Sequence, residues 1–224
     1  MGHLISTVIL ALSVVMWTSW AWPAGQKDGT LEDVIEEEVW IVFAHDPAGY
    51  LQDAWENFLN GELQEAAYNI RKAKALMRVE THRAEKGPKE ELRAAVGELE
   101  KLTDAIEDGS APTGNALKAA FARAEYALAY HHYQKALYYE AKQEYEKMTY
   151  ALDAASTHSL YASVWADEDL DQKDAIAIKE ARSIAKKVLE GSRWAPAKLR
   201  EAIKSIGHGI KRLGSRFKPV EEGS

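Results

Sequence analysis

The sequence predicts an all-α fold, a bundle of antiparallel helical hairpins with an internal duplication of about 82 residues. Three observations lead there. No window alternates apolar and polar residues at period two, so strands are not expected. Apolar residues recur instead at helical spacing, between breaks made of Gly, Pro and Asn-Gly. Finally, sliding the chain along itself by 82 residues pairs Gly109-Ser110 with Gly191-Ser192, Leu117 with Leu199 and Ala120 with Ala202 without a gap. The same offset pairs Ala54 with Ala136, Glu62 with Glu144, Tyr68 with Tyr150 and Ala73 with Ala155. It divides the chain into a first helical repeat over 31–112, a second over 113–194 and a capping helix over 195–214.

Taken in order, residues 4–17 form an apolar run of signal-peptide length, too short to span a bilayer comfortably. Ser19-Trp20-Ala21 places small residues at the −3 and −1 positions, so cleavage is expected after Ala21. Residues 1–21 then read as a signal peptide and 22–30 as a linker, with export to the periplasm if the source is Gram-negative. Because Met1-Gly2-His3 lacks Lys or Arg, the alternative is an uncleaved inner-membrane anchor over residues 4–17. A helix over Leu31–Ala44 carries Glu32, Asp33, Glu36, Glu37 and Glu38 toward its N-terminal end, where the macrodipole favours carboxylates.

Asp46-Pro47 breaks that helix, a second runs over Ala48–Leu59, and Asn60-Gly61 makes a turn. The third, Glu62–Ala84, lines up Leu63, Ala66, Ala67, Ile70, Ala73 and Met77, and Gly87-Pro88 closes it. The fourth, Lys89–Glu107, turns Val96, Leu99, Leu102 and Ile106 inward and ends at Asp108-Gly109-Ser110.

Asn115–Asp167 is the longest stretch without glycine or proline, preceded by cap chemistry in Pro112-Thr113-Gly114-Asn115. As one helix it would run for roughly 80 Å. The 82-residue offset sets Lys142-Gln143 opposite Asn60-Gly61 and so places a turn near residue 142. An acidic loop over 167–171, a helix over Gln172–Glu190, the turn Gly191-Ser192, a helix over Pro196–Leu213 and a flexible tail over 215–224 complete the chain.

Composition removes several function classes. The 224 residues carry a net charge of −7 and no cysteine, which excludes disulfides, thiolate nucleophiles and sulfur-ligated zinc or iron–sulfur sites. There is no HExxH and no Gly-rich phosphate loop, and Ser156-Thr157-His158 on one helix is not a nucleophile–base pair. No catalytic residue is assigned, and an enzyme is not expected.

The hairpin pattern Ala54-Trp-Glu-Asn-Phe-Leu-Asn-Gly-Glu-Leu-Gln-Glu-Ala-Ala-Tyr-Asn-Ile-Arg-Lys-Ala, behind a signal peptide, resembles the helical hairpins of YfdX-type exported proteins. Tetratricopeptide-like hairpins share the motif of small residue, helix, Gly turn and Ala-rich helix, but their 34-residue period is not kept here. The YfdX resemblance implies a helical stress-associated protein without established catalysis, and it carries no functional residues.

Candidate binding residues are the histidines, the tyrosines and a basic C-terminal end. A di-iron bundle needs Glu three residues before His, and Val42, Val79, Leu128, Ala129, Ala155 and Ser205 stand there instead. Across the 82-residue offset no histidine meets another, which excludes a duplicated site. His131 and His132 lie about 100° apart on a helix and away from the Tyr126, Tyr130, Tyr133, Leu137 stripe. One helix is therefore not expected to bring both to one metal. The histidines read as surface or cap-adjacent, with no metal and no cofactor.

The alternative is a small-molecule, haem or divalent-ion carrier, with His131 joined by His82 or His158 and the pocket lined by Tyr126, Tyr130 and Tyr133. The tyrosine stripe also suits plain helix–helix packing. From Lys179 to Lys218, twelve basic residues face three acidic ones, so net +9 there leaves −16 for the rest. Lys186, Lys187, Lys198, Arg200 and Lys204 are the candidate basic surface, to be met by acidic helices of the same chain or by an anionic membrane surface. The function expected is an exported, non-catalytic binding or scaffold protein, stress-related or chaperone-like. A protein partner or self-association is compatible with this, and nucleic acid is not.

Overall fold

Seven helices pack as a chain of antiparallel neighbours in the computed structural model, which describes residues 43–167, 172–191 and 196–217. They are α1 (Asp46–Leu59), α2 (Leu63–Arg83), α3 (Lys86–Glu107), α4 (Gly114–Lys142), α5 (Tyr145–Trp165), α6 (Gln172–Leu189) and α7 (Pro196–Phe217). The fold is all-α, with no strand among the described residues. The expected signal segment, the linker and nearly all of the Leu31–Ala44 helix lie outside those residues. Among them, no helix is long and apolar enough to cross a membrane.

The α4–α5 hairpin is the centre of the molecule. Each helix packs on the next in sequence, and α7 returns to touch both α4 and α5. Two cores result. Leu51, Ile70, Met77, Leu92, Leu99, Phe121 and Leu128 join α1, α2 and α3 to the first half of α4, and Trp165 closes this core with its ring 5.3 Å from that of Phe121. Met148, Leu152, Ile178, Leu199, Ile203, Ile206 and Ile210 join the second half of α4 to α5, α6 and α7. With neighbours on almost every side, α4 buries Leu117, Phe121, Glu125, Leu128 and His132 along one face and Ala122, Tyr126 and Ala129 along others. It has no single buried stripe.

The long glycine-free stretch is two helices. Gln143 ends α4 in the left-handed region (φ 59°), a conformation that the first hairpin gives to Gly61 (φ 79°). Thr113 caps α4 by accepting the Ala116 N–H at 3.1 Å. Counting 82 residues on from α2 leads onto α5 end for end. The residues before these two helices share one backbone shape, Glu62 at φ −85°, ψ 66° and Glu144 at φ −86°, ψ 71°. Gly109 and Gly191, also 82 residues apart, are both left-handed.

Two sequence expectations need correction. Gly87-Pro88 does not separate two helices but sits in the first turn of α3, where proline's missing N–H is one the helix does not use. The last hairpin is expected from its sequence to rest on Ile176, Val188, Leu189, Leu199, Ile203, Ile206 and Ile210, but Ile176 is 48% exposed, whereas Ile178 and Ala181 face inward.

α7 approaches α4 through glycines. A Cβ at Gly207 would overlap the Tyr133 hydroxyl and ring, and one at Gly214 would overlap Tyr126. Both pairs repeat at a seven-residue interval, two helical turns, so each tyrosine ring lies over a backbone with no side chain.

Candidate functional site

Where the two cores meet, five titratable side chains are buried together. Glu80 comes from α2, Glu125, His131 and His132 from α4, and His158 from α5, and none is more than 2% exposed. This overturns the expectation of surface or cap-adjacent histidines for His131, His132 and His158; it holds for exposed His82 and His208 and for His45 at the N-cap of α1. Adjacent residues on a helix do diverge by about 100°. A helix with one buried stripe would send one of them to solvent, but α4 is enclosed on most sides, so both imidazoles stay inside. Their ring centroids are 5.2 Å apart, and the Glu80 carboxylate reaches both from the neighbouring helix.

One end of this cluster is the Glu80 carboxylate with two imidazoles. Glu80 Oε2 lies 2.7 Å from His131 Nε2, and Oε1 lies 3.6 Å from His132 Nε2, too far for a good hydrogen bond. Burial alone would raise the Glu80 carboxyl, but the His131 hydrogen bond and nearby positive charge, Lys135 included, outweigh it and hold the group well below the usual carboxylate range. For His132, burial dominates and neighbouring His131, His158 and Lys135 add to it, so its pKa falls well below the usual imidazole value despite Glu80. His132 is a neutral imidazole whose buried Nε2 has no hydrogen-bond partner.

The other end is a charge pair. His158 Nδ1 is 2.5 Å from Glu125 Oε2, and its Nε2 is 2.8 Å from the Ala44 carbonyl oxygen. With acceptors at both nitrogens the ring donates from both, as an imidazolium does, and Glu125 is its counter-ion. Burial opposes that charge, but Glu125 and the Ala44 carbonyl outweigh burial and raise the His158 pKa. The His158 ring stacks on His132 at 5.5 Å and 7°, and on His45 at 6.3 Å. His45, just before α1, pairs with Asp153 at 3.2 Å. Four imidazoles thus form a continuous row from the half-exposed His45 to the buried His131.

The remaining candidates fall elsewhere. Tyr126, Tyr130 and Tyr133, offered as ligand-lining, are packing residues. Tyr126 stacks on Tyr130 at 6.3 Å and meets Phe217 at 5.3 Å, Tyr133 covers Gly207, and Tyr130 sits against Gly87. Burial, with Glu91 and Tyr130, pushes the Tyr126 hydroxyl up to about 12. His131 alone of that set belongs to the centre, and of its suggested partners His158 is near while His82 is exposed.

Lys186, Lys187, Lys198, Arg200 and Lys204 are all exposed. Arg200 reaches Glu140 of α4 at 3.4 Å and Lys186 reaches Glu190 at 3.9 Å, so part of the basic end is matched within the chain. Between α5 and α6 an open groove of about 780 Å³ has Leu160, Ala175 and Ile178 in its lining and Lys179, Arg182 and Lys186 around them.

Glu80 and Glu125 were missed in the sequence, although a signal existed. The α2 stripe Ile70, Ala73, Met77 continued by one step lands on Glu80, and in α4 Glu125 stands between Phe121 and Leu128 at core spacing. No family model matches the chain, and neither a curated protein nor a solved structure matches it.

Proposed function

We propose that this is a non-catalytic helical-bundle carrier whose ligand is held at the Glu80, Glu125, His131, His132, His158 centre. One observation supports the reading above all: a buried polar cluster left partly unsatisfied, with both His132 Nε2 and Glu125 Oε1 lacking partners. Buried polar groups in folded proteins are nearly always hydrogen-bonded, and each one left open costs about 1–3 kcal/mol. Apolar residues of similar volume would serve stability as well or better. A cluster kept at that cost is well explained by a ligand that completes it.

Native mass spectrometry of tag-free protein, purified without chelators from the cells that make it, tests this. The expected result is a stoichiometric mass above that of the polypeptide, lost in a Glu80→Leu, His132→Leu double variant. A bare polypeptide mass in the wild type would contradict it.

Action outside the cytoplasm is part of the proposal, resting on the apolar run over 4–17 and Ser19-Trp20-Ala21. So is the 82-residue duplication, supported by the matching bounds of α2 and α5. The centre would then belong to one repeat pairing only, since Phe43, Gly49, Tyr50, Leu76 and Ala162 occupy the equivalent positions.

The exposed cations of α6 and α7 favour a second reading, a scaffold-like protein resting on an anionic surface. Exposed ion pairs contribute only about 0–1 kcal/mol each. Replacing Lys186, Lys187, Lys198 and Arg200 with Gln should therefore leave the melting temperature nearly unchanged. It should abolish binding to anionic phospholipid vesicles at low salt. Wild-type protein that ignores such vesicles would leave the basic end to pairing within the chain.

A further inference from the structure

We infer that Glu80, His131 and His132 form a site for a divalent first-row transition-metal ion, zinc in the first instance. This rests on the carrier reading and gives its ligand a chemical class. One ligand atom from each of the three residues lies within 4.8 Å of the others. In a tetrahedral site with bonds of about 2.1 Å the donors stand about 3.4 Å apart, so small side-chain movements complete the set. The residues come from two helices, α2 and α4, and are buried to 2% exposure, which fixes their directions before any ion arrives.

The donor types select the ion. Two imidazoles and one carboxylate suit zinc, copper, nickel or cobalt, whereas calcium and magnesium require six or more oxygens. His132 supplies the independent sign of a missing partner, a buried Nε2 with no hydrogen bond, 3.6 Å from Glu80 Oε1. His131 Nε2 and Glu80 Oε2 are hydrogen-bonded at 2.7 Å, so both are already aimed at the point that a bound ion would take. His158 is a positioning residue. Anchored by Glu125 and the Ala44 carbonyl, it lies flat against His132 and sets that ring's plane.

Three protein ligands leave a fourth tetrahedral position open. The row of stacked imidazoles links the centre to the half-exposed His45.

The test is titration of the tag-free chain with zinc and, separately, with cobalt(II). One equivalent of zinc should bind, and cobalt should give the intense visible bands of a four-coordinate ion. Glu80→Gln and His132→Leu should each weaken zinc binding by at least about 100-fold. A His82→Ala, His208→Ala double variant should leave it unchanged.

Should a core variant fail to fold, the wild-type cobalt adduct decides, because its paramagnetic shifts must fall on the His131 and His132 rings. Shifts on His82 or His208, or no stoichiometric binding of either metal, overturn the site. An excess native mass found together with no zinc or cobalt binding removes the metal and leaves the carrier. If neither is found, both fall.

Discussion

Replacing Glu125 with leucine should destabilise the bundle by about 3–5 kcal/mol, because it strands the buried His158 imidazolium without its counter-charge. Glu125 and His158 are both fully buried, so water cannot take over. A Glu125→Leu, His158→Leu double variant should be less unstable than the sum of its singles, since it removes the uncompensated charge along with the pair.

The pH dependence should separate the groups. His158 has a folded pKa above its ordinary 6.5, so its stabilisation is complete below about pH 6.5 and is lost as pH rises through the raised value. His132 is depressed and works the other way: below 6.5 the unfolded chain takes up a proton that the folded one refuses, and stability falls with pH. Glu80 is also depressed, so its contribution is present above 4.5 and is lost as pH falls through its lower folded value. Urea midpoints measured from about pH 5 to 9 should decline toward alkali in the wild type but not in Glu125→Leu, and toward acid in both. A loss under about 1 kcal/mol in Glu125→Leu would mean that no charge is buried there.

Alanine at Gly207 or Gly214 should each cost about 1–3 kcal/mol, although helix propensity alone predicts a gain of about 1 kcal/mol. The added methyl group meets Tyr133 in one case and Tyr126 in the other, and Tyr126 is itself held between Tyr130 and Phe217. Gly97 of α3 has nothing within 4 Å of its missing Cβ, so Gly97→Ala should stabilise by about 0.5–1 kcal/mol. Melting temperatures of the three variants would show the sign change. Adding Tyr126→Phe to Gly214→Ala should restore part of the loss, because the hydroxyl oxygen is the nearest atom to the new methyl. A stabilised Gly214→Ala would mean that α7 does not seat closely on α4.

Much of the helical framework was legible because its punctuation is local. Asn60-Gly61, Asp108-Gly109-Ser110 and Thr113 each act within a few residues, and the turns and cap form where they stand. The break after Lys142 carries no glycine, and only the 82-residue offset disclosed it. The centre was harder to read. His131 and His132 were placed outside because a helix was given one buried face, while α4 is enclosed by α3, α5 and α7 and retains several. That enclosure is tertiary and leaves no single stripe to read. Glu80 and Glu125 were legible in principle as carboxylates at core spacing, but nothing local says that α2, α4 and α5 converge on one point.

The central claim, that this buried centre holds a metal ion, is tested most directly by X-ray diffraction at the zinc absorption edge from crystals of tag-free protein equilibrated with zinc. The expected result is one anomalous peak about 2.1 Å from a ring nitrogen of His131, a ring nitrogen of His132 and a Glu80 oxygen, with His158 still bonded to Glu125 and Ala44. A zinc-equilibrated crystal with no peak in the core, or with peaks only at exposed His82 and His208, would contradict it.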